Sequence, residues 1–296
     1  MTAQLNSQTT ISLVPPGFEI IANHVHMALS EDLGTGDLTA NLIPKSAQSI
    51  ATITCRDPMI VCGIPWVEMV FRKLDNNINL NWTIQDGSPA NPETILCTIS
   101  GNTQAILTGE RTALNFLQTL SATATAVNKY VNAVTGTGVR ILDTRKTLPG
   151  LRVAQKYAVR CGGGYNHRHG LFDMILIKEN HIQAAGSIAN ALKIAAQHAP
   201  IDNIEIEVET IAELSQALTA GAKRILLDDF SLNQLQVAVA ENKSHNTQAR
   251  LEASGGVNLD TVRAIAATGV DDISSGDITK NIRAIDLSLR IIETKY

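Results

Sequence analysis

The amino-acid sequence predicts an α/β protein in which a modest N-terminal sheet is followed by an incomplete, TIM-like βα barrel of about six strands. Three observations carry this reading. Aromatic residues make up only 4% of the chain against 44% apolar residues overall, so Ile, Leu, Val and Ala must fill the interior, as they do in parallel strands packed under helices. Short apolar runs recur from Val139 onward, several of them separated by helical segments, the pattern of βα units with right-handed crossovers. Two of these runs carry charge at every second position, and such a face needs an interior lined by partners or a ligand.

The elements follow in order. The first dozen residues are polar, and a loose terminus is expected there. Phe18 to Leu29 reads as a helix, and EDLGTGDLT (31–39) as a Gly-punctuated turn. Its GxG has no strand before it and no third glycine, which makes it a weak nucleotide fingerprint. SIATITC, INLNWTI and ETILCTI alternate as strands between Ser49 and Ile106, with a helix near Trp66–Leu74. Leu117, Leu120, Ala124, Val127, Val131 and Val134 recur at spacings of three and four, which predicts a long helix from about Thr108 to Val134.

The barrel strands are VRILD (139–143), DMILIK (173–178), IEIEVE (204–209), RILLDD (224–229), RLEAS (250–254) and DDISS (271–275). Ser187, Ser231 and Asn258 stand as N-caps before three of the intervening helices.

Bulk properties exclude several functions. A net charge of −4 argues against a general nucleic-acid or membrane-surface role. Cys55, Cys62, Cys97 and Cys161 are widely spaced and form no CxxC pair, which suits buried thiols in a reducing compartment. No Lys or Arg precedes Lys45, so neither a secretory signal nor a transit peptide is expected, and no apolar run approaches a membrane span. A cytoplasmic protein is the expectation.

Strict alternation in IEIEVE puts Glu205, Glu207 and Glu209 on one face, and in RLEAS it puts Arg250, Glu252 and Ser254 together. The opposite faces are apolar and belong under helices, so the charged faces point into the barrel. From Arg140 to Lys178, eight basic residues face only Asp143 and Asp173, a local charge of +6. Residues 201–229 reverse the balance, with seven acids against Lys223 and Arg224. A cationic wall suits phosphates and carboxylates, and an acidic wall beside it suits Mg²⁺ held with phosphate oxygens. Arg145, Lys146 and Lys178 fall at the C-terminal ends of strands, where barrel enzymes place their sites. Arg152, Lys156 and Arg160 read as the solvated surface of a helix.

SGG (254–256) and SGD (275–277) are either plain turns or a phosphate cradle of backbone N–H groups, and their places after the last strands favour phosphate. GGGYNHRHG (162–170) is a Gly-rich loop that offers His167 and Arg168 to an anion. A metal reading of its HxH is set aside, because no nearby carboxylate or Cys completes a ligand set. GxxxxGK[ST], GxSxG and HExxH do not occur.

From about Phe18 almost to the C-terminus, the chain resembles the quinolinate phosphoribosyltransferases. The resemblance rests on EDLGTGDLT, GERTALNFLQTLSATAT, LDTRKTLPGLR, KYAVRCGGGYNHRHGLFDMILIKENHI, IEIEVE, LLDDF, LEASGGV and GVDDISSGDIT. It implies an N-terminal α/β sandwich domain (1–117, joined by 280–296), a barrel domain (118–279) and a head-to-tail homodimer that completes each site across the interface. The implied reaction takes quinolinate and phosphoribosyl pyrophosphate to nicotinate mononucleotide, pyrophosphate and CO₂ with Mg²⁺, a step of NAD biosynthesis. By motif position, Arg145, His167, Arg168 and Lys178, with Thr144 beside them, look like the residues around quinolinate, and Arg111 like a contribution from the neighbouring subunit. Lys146 looks like the residue near the reacting ring and the pyrophosphate. Glu207 and Asp228 look like the ribose and metal-side carboxylates. Ser254, Gly255, Gly256, Ser275, Gly276 and Asp277 look like the 5′-phosphate site.

The pattern puts Arg111 in the first turn of the long helix, where a cation opposes the dipole unless an anion offsets it. One departure is Asp229, since many family members have Asn after the aspartate of the LLD run. Rival readings are a related phosphoribosyltransferase acting on another pyridine, a Schiff-base barrel lyase using Lys178, and a non-catalytic anion-binding protein.

Overall fold

The computed structural model describes residues 13–296, so the loose terminus expected over the first dozen residues lies outside the described residues. The chain packs as two units, one formed by residues up to 124 together with 285–296, the other by 125–284.

In the first unit, α1 (Phe18–Leu33) precedes β1 (Gln48–Cys55), whose burial alternates strictly along the strand. A short ribbon pairs β2 (Met59–Ile60) with β4 (Pro89–Ala90). Between them lie α2 (Ile64–Leu74), with Arg72 and Lys73 at its dipole-favoured end, and β3 (Asn79–Trp82). β5 (Ile95–Asn102) runs antiparallel to β1 and β3, and β12 (Leu287–Lys295) returns from the C-terminus to complete the sheet in the order β12-β1-β5-β3. α3 (Thr103–Ala133) begins directly after β5, five residues earlier than its apolar stripe alone predicts.

The second unit is built on β6 (Arg140–Leu142), β7 (Ile175–Ile177), β8 (Ile204–Val208), β9 (Arg224–Asp228), β10 (Arg250–Ser254) and β11 (Asp272–Ser274). All pairings are parallel, in the order β6-β11-β10-β9-β8-β7, and β6 does not pair with β7. The barrel is therefore six-stranded and unclosed, as the sequence predicts. At the open seam, a single bridge joins Leu142 to Tyr165.

Helices α4 (Arg152–Cys161), α5 (Glu179–Ala185), α6 (Ile188–Ala195), α7 (Ile211–Thr219), α8 (Leu232–Ser244), α9 (Val262–Ala266) and α10 (Asp277–Lys280) connect the strands. Ile141, Ile206, Ile225, Leu227, Leu251 and Ile273 bury one strand face in a core shared with helix residues such as Leu192, Leu214, Leu218, Leu235 and Val262. Ser187 caps α6, and Thr210 and Ser231 close capping boxes with Glu213 and Gln234. Asn258 does not cap α9. Its Oδ1 accepts the N–H groups of Asp260 and Thr261 in a turn, and the helix starts later, at Val262.

The other face points inward, and several of its charges pair. At the N-terminal ends of the strands, Asp272 is fully buried and accepts two hydrogen bonds each from Arg140 (2.7 and 2.9 Å) and Arg250 (2.5 and 2.9 Å). Burial alone would raise its carboxyl pKa, but the bonds from Arg250 and Arg140 outweigh it and leave the pKa lowered. Asp272→Ala should leave two guanidinium groups facing each other and cost about 1.5–3 kcal/mol, read as a lower urea midpoint of unfolding.

Candidate active site

At the C-terminal ends of the barrel strands lies a cavity of about 260 Å³. Three segments of the chain supply its cationic wall. Thr144, Arg145 and Lys146 follow β6 and line it. The backbone here is braced: Thr144 Oγ1 accepts the Lys146 N–H, Thr279 donates to the Lys146 carbonyl, and Gln155 links Leu148 N–H to the Thr279 carbonyl. The Arg145 and Lys146 side chains remain exposed and make no ion pair among the described residues.

The Gly-rich loop presents His167 and Arg168 to the same cavity. Its path is set from below by a buried ion pair that the sequence reading missed. Lys156, expected on a helix surface, is 1% exposed and bonded to Asp143, which is fully buried. Lys156 also donates to the His167 carbonyl (3.0 Å), while Asp143 accepts the His167 N–H (2.9 Å) and the Asn166 side chain (2.7 Å). Helical periodicity placed Lys156 on α4 but could not show that its face meets β6. Of its helix neighbours, Arg160 stacks over Tyr165 at 5.0 Å, and Arg152 donates to Thr147 and to the carbonyls of Arg145 and His169.

Arg168 is half-buried, and its pKa is lowered first by burial and then by the neighbouring charge of Arg145. Two cations held this close favour an anion between them. His169 is exposed, so the HxH spacing does not make a ligand pair.

Lys178, just past β7, donates to Glu207 at 2.6 Å, and Glu207 and Asp228 form the acidic side of the cavity. A Schiff-base lysine needs a desolvated amine, whereas Lys178 is 42% exposed and ion-paired. Leu176 and Leu226 give the cavity two apolar surfaces, and Ser254 and Ser274 bring hydroxyl groups.

The inward faces of β8 and β10 supply what the HxH motif lacked in sequence. His167 Nε2 lies 2.7 Å from Glu205 and 3.5 Å from Glu252, all three groups buried. His167 Nδ1 accepts the Arg168 N–H, so Nε2 carries the proton donated to Glu205. Burial opposes charge on His167, but the bond to Glu205 and the carboxylate of Glu252 leave its pKa raised. Glu252 is pushed up to about 8, chiefly by burial and then by Glu205.

The remaining expected site residues stand beside or outside this cavity, with Gly276 packed against Thr144 and Lys146. Gly255, Gly256, Ser275, Gly276 and Asp277 are not cavity-lining. Ser275 donates to the Val257 carbonyl, and Asp277 accepts from Tyr130 (2.7 Å) and from Asn281. Gly255 has φ +92°, and a Cβ there would strike the carboxylate of Asp229. Asp229 itself has φ +53°, a conformation that Asp and Asn share, and it lies against Gly255 rather than lining the cavity. Arg111 is exposed on α3 in the first unit, and because that helix begins at Thr103 it stands two turns in. The helix dipole at Arg111 therefore calls for no anion beside it.

An open parallel barrel with a cationic loop set opposite strand-end carboxylates defines an enzyme for small, multiply anionic substrates. Comparison with known proteins narrows this class. Residues 37–121 match the N-terminal and residues 123–290 the C-terminal domain model of quinolinate phosphoribosyl transferase. A probable nicotinate-nucleotide pyrophosphorylase (carboxylating) of Synechocystis is 36% identical over 99% of both chains. One from Bacillus subtilis is 39% identical over 92% of both. The structure of the nicotinate-nucleotide pyrophosphorylase from Francisella tularensis superposes with a TM-score of 0.91 at 44% identity, covering 94% of this chain and 98% of that one. This chain belongs to the quinolinate phosphoribosyl transferase family.

The deep cluster couples stability to pH. A raised folded pKa adds stability that is complete below the unfolded value and is lost as pH rises through the folded one. Glu252 should therefore lose its contribution between pH 4.5 and about 8, and His167 its own above pH 6.5. Urea unfolding at stepped pH should show stability falling toward alkaline pH, and Glu252→Gln should flatten that slope.

Proposed function

We propose that this chain is a decarboxylating quinolinate phosphoribosyltransferase, converting quinolinate and phosphoribosyl pyrophosphate into nicotinate mononucleotide, pyrophosphate and CO₂. The observation that carries this is one cavity that gathers three cations, Arg145, Arg168 and Lys178, with two carboxylates, Glu207 and Asp228. A pyridine dicarboxylate fits the first set, since Arg forks bind carboxylates bidentately, with His167 lining the same cavity beside them. A phosphorylated sugar that develops positive charge at its anomeric carbon fits the second.

In this reading, Lys146 neutralises the departing pyrophosphate, and Glu207 and Asp228 stabilise the oxocarbenium character of the ribose. Attack by the pyridine nitrogen then gives a cationic ring that favours loss of the adjacent carboxylate. Decarboxylation needs the ring held in place, which the Asp143–Lys156 pair supports through the loop it braces. Ser254, with the backbone of Gly255, Gly256, Ser275, Gly276 and Asp277, takes the 5′-phosphate.

Glu207 and Asp228 are hard oxygen donors on one cavity wall, and Asp228 makes no ion pair or side-chain hydrogen bond among the described residues, a set that fits Mg²⁺. When bound there with pyrophosphate oxygens, Mg²⁺ offsets the leaving-group charge. Arg111 acts in the site of a second copy in a homodimer. The protein works in the cytoplasm, which its four free cysteines suit, and no described helix is long and apolar enough to cross a membrane.

Incubation of quinolinate, phosphoribosyl pyrophosphate and Mg²⁺ should yield CO₂ and pyrophosphate in equal amounts. Turnover of nicotinate in place of quinolinate, with no CO₂, would instead point to a different pyridine acceptor. Lys146→Ala should lower kcat by roughly 100-fold or more while the protein stays folded, and full activity would overturn its role. Separately inactive Arg111→Ala and Lys146→Ala enzymes should regain activity when mixed, because a mixed dimer holds one intact site. Absence of recovery would argue that Arg111 does not act in trans.

A further inference from the structure

The deepest part of the cavity holds a carboxyl group to which the reaction above gives no work. Glu252 lines the cavity yet is 1% exposed, and neither carboxyl oxygen makes a well-formed hydrogen bond among the described residues, with only Ser274 and the His167 ring close by. An ionised carboxylate in so dry a place is strongly unfavourable. The ligand atoms of Glu252, Glu205 and His167 all lie within 4.8 Å of one another, so two acids share one base.

One imidazole N–H serves only one carboxylate. Glu205 already accepts the His167 proton at 2.7 Å, which leaves Glu252 to hold a proton of its own. The surrounding charges reinforce this. Asp272 on β11 adds negative charge, while Arg250 on the same strand as Glu252 and Arg140 on β6 direct their hydrogen bonds to Asp272. Arg224 on β9 approaches Glu205, at 3.7 Å. The raised pKa of Glu252, about 8, agrees with this geometry.

We propose that Glu252 is the acid that supplies the proton replacing the carboxyl group lost from the substrate ring. The inference rests on the decarboxylating reaction proposed above. The bond between ring carbon and carboxylate breaks and leaves its electron pair on the carbon beside the positive ring nitrogen. That carbon takes the proton as the Glu252 O–H bond breaks, CO₂ departs neutral, and Glu252 remains as a carboxylate beside the His167 ring. Solvent restores the proton when product leaves, so one proton is taken up per turnover and no redox partner is needed.

Glu252→Gln keeps the shape and removes the proton. The expected result is a kcat for nicotinate mononucleotide roughly 100-fold lower with KM little changed. Wild-type kcat should fall as pH rises through about 8, the Glu252→Gln enzyme should lack that limb, and Glu252→Asp should recover part of both. Full kcat in the Glu252→Gln enzyme, a loss confined to KM, or a wild-type rate flat across that pH would each overturn the proposal. Should the Gln variant not fold, the wild-type pH profile and the Asp variant decide. Failure of the wild type itself to turn over quinolinate would remove the underlying reaction, whereas intact wild-type turnover with an unaffected variant removes only the role of Glu252.

Discussion

Strands that turn Arg, Asp and Glu toward one another can share a dry interior only where each charge meets its opposite, and this barrel meets that constraint in layers. At the strand starts, Asp272 is held by Arg140 and Arg250. One step higher, His167 sits between Glu205 and Glu252. At the mouth the balance is left open. Arg145 and Arg168 repel each other, and among the described residues Lys178 alone of these cations finds an acid there. This layer lines the cavity, so an anionic ligand would complete the charge balance there.

A second, outer pair transmits this order to the binding loop. Asp143 follows the apolar face of β6 rather than its charged one, and so meets Lys156 of α4 beneath the helices. Both partners spend their remaining hydrogen bonds on Asn166 and on the backbone of His167. The buried pair therefore fixes where the His167 ring enters the barrel, and the loop inherits the rigidity of the core.

Much of this was legible in the chain because strand periodicity is a strong signal. Alternation in IEIEVE and RLEAS was enough to turn Glu205, Glu207 and Glu252 inward, and the run of βα units was enough for an open six-stranded barrel. What periodicity cannot carry is the meeting of elements far apart in sequence. Lys156 reads as solvent-facing until α4 is laid on β6. Glu205 and Glu252 are 47 positions apart, yet their strands bring both to His167. Helix starts were the other weak point. α3 begins at Thr103 among polar residues that an apolar stripe does not count, which moved Arg111 out of the first turn.

The unclosed seam has an effect beyond geometry. A bare strand edge invites another chain to add to it, and β6 would offer one. Tyr165 covers it, donating its N–H to the Ile141 carbonyl and accepting from Asp143 N–H, under the guanidinium groups of Arg140 and Arg160. The segment that brings His167 and Arg168 to the cavity is thus also the guard against edge-to-edge aggregation. Selection for affinity and selection for solubility act on the same few residues, so drift in this loop is constrained twice over.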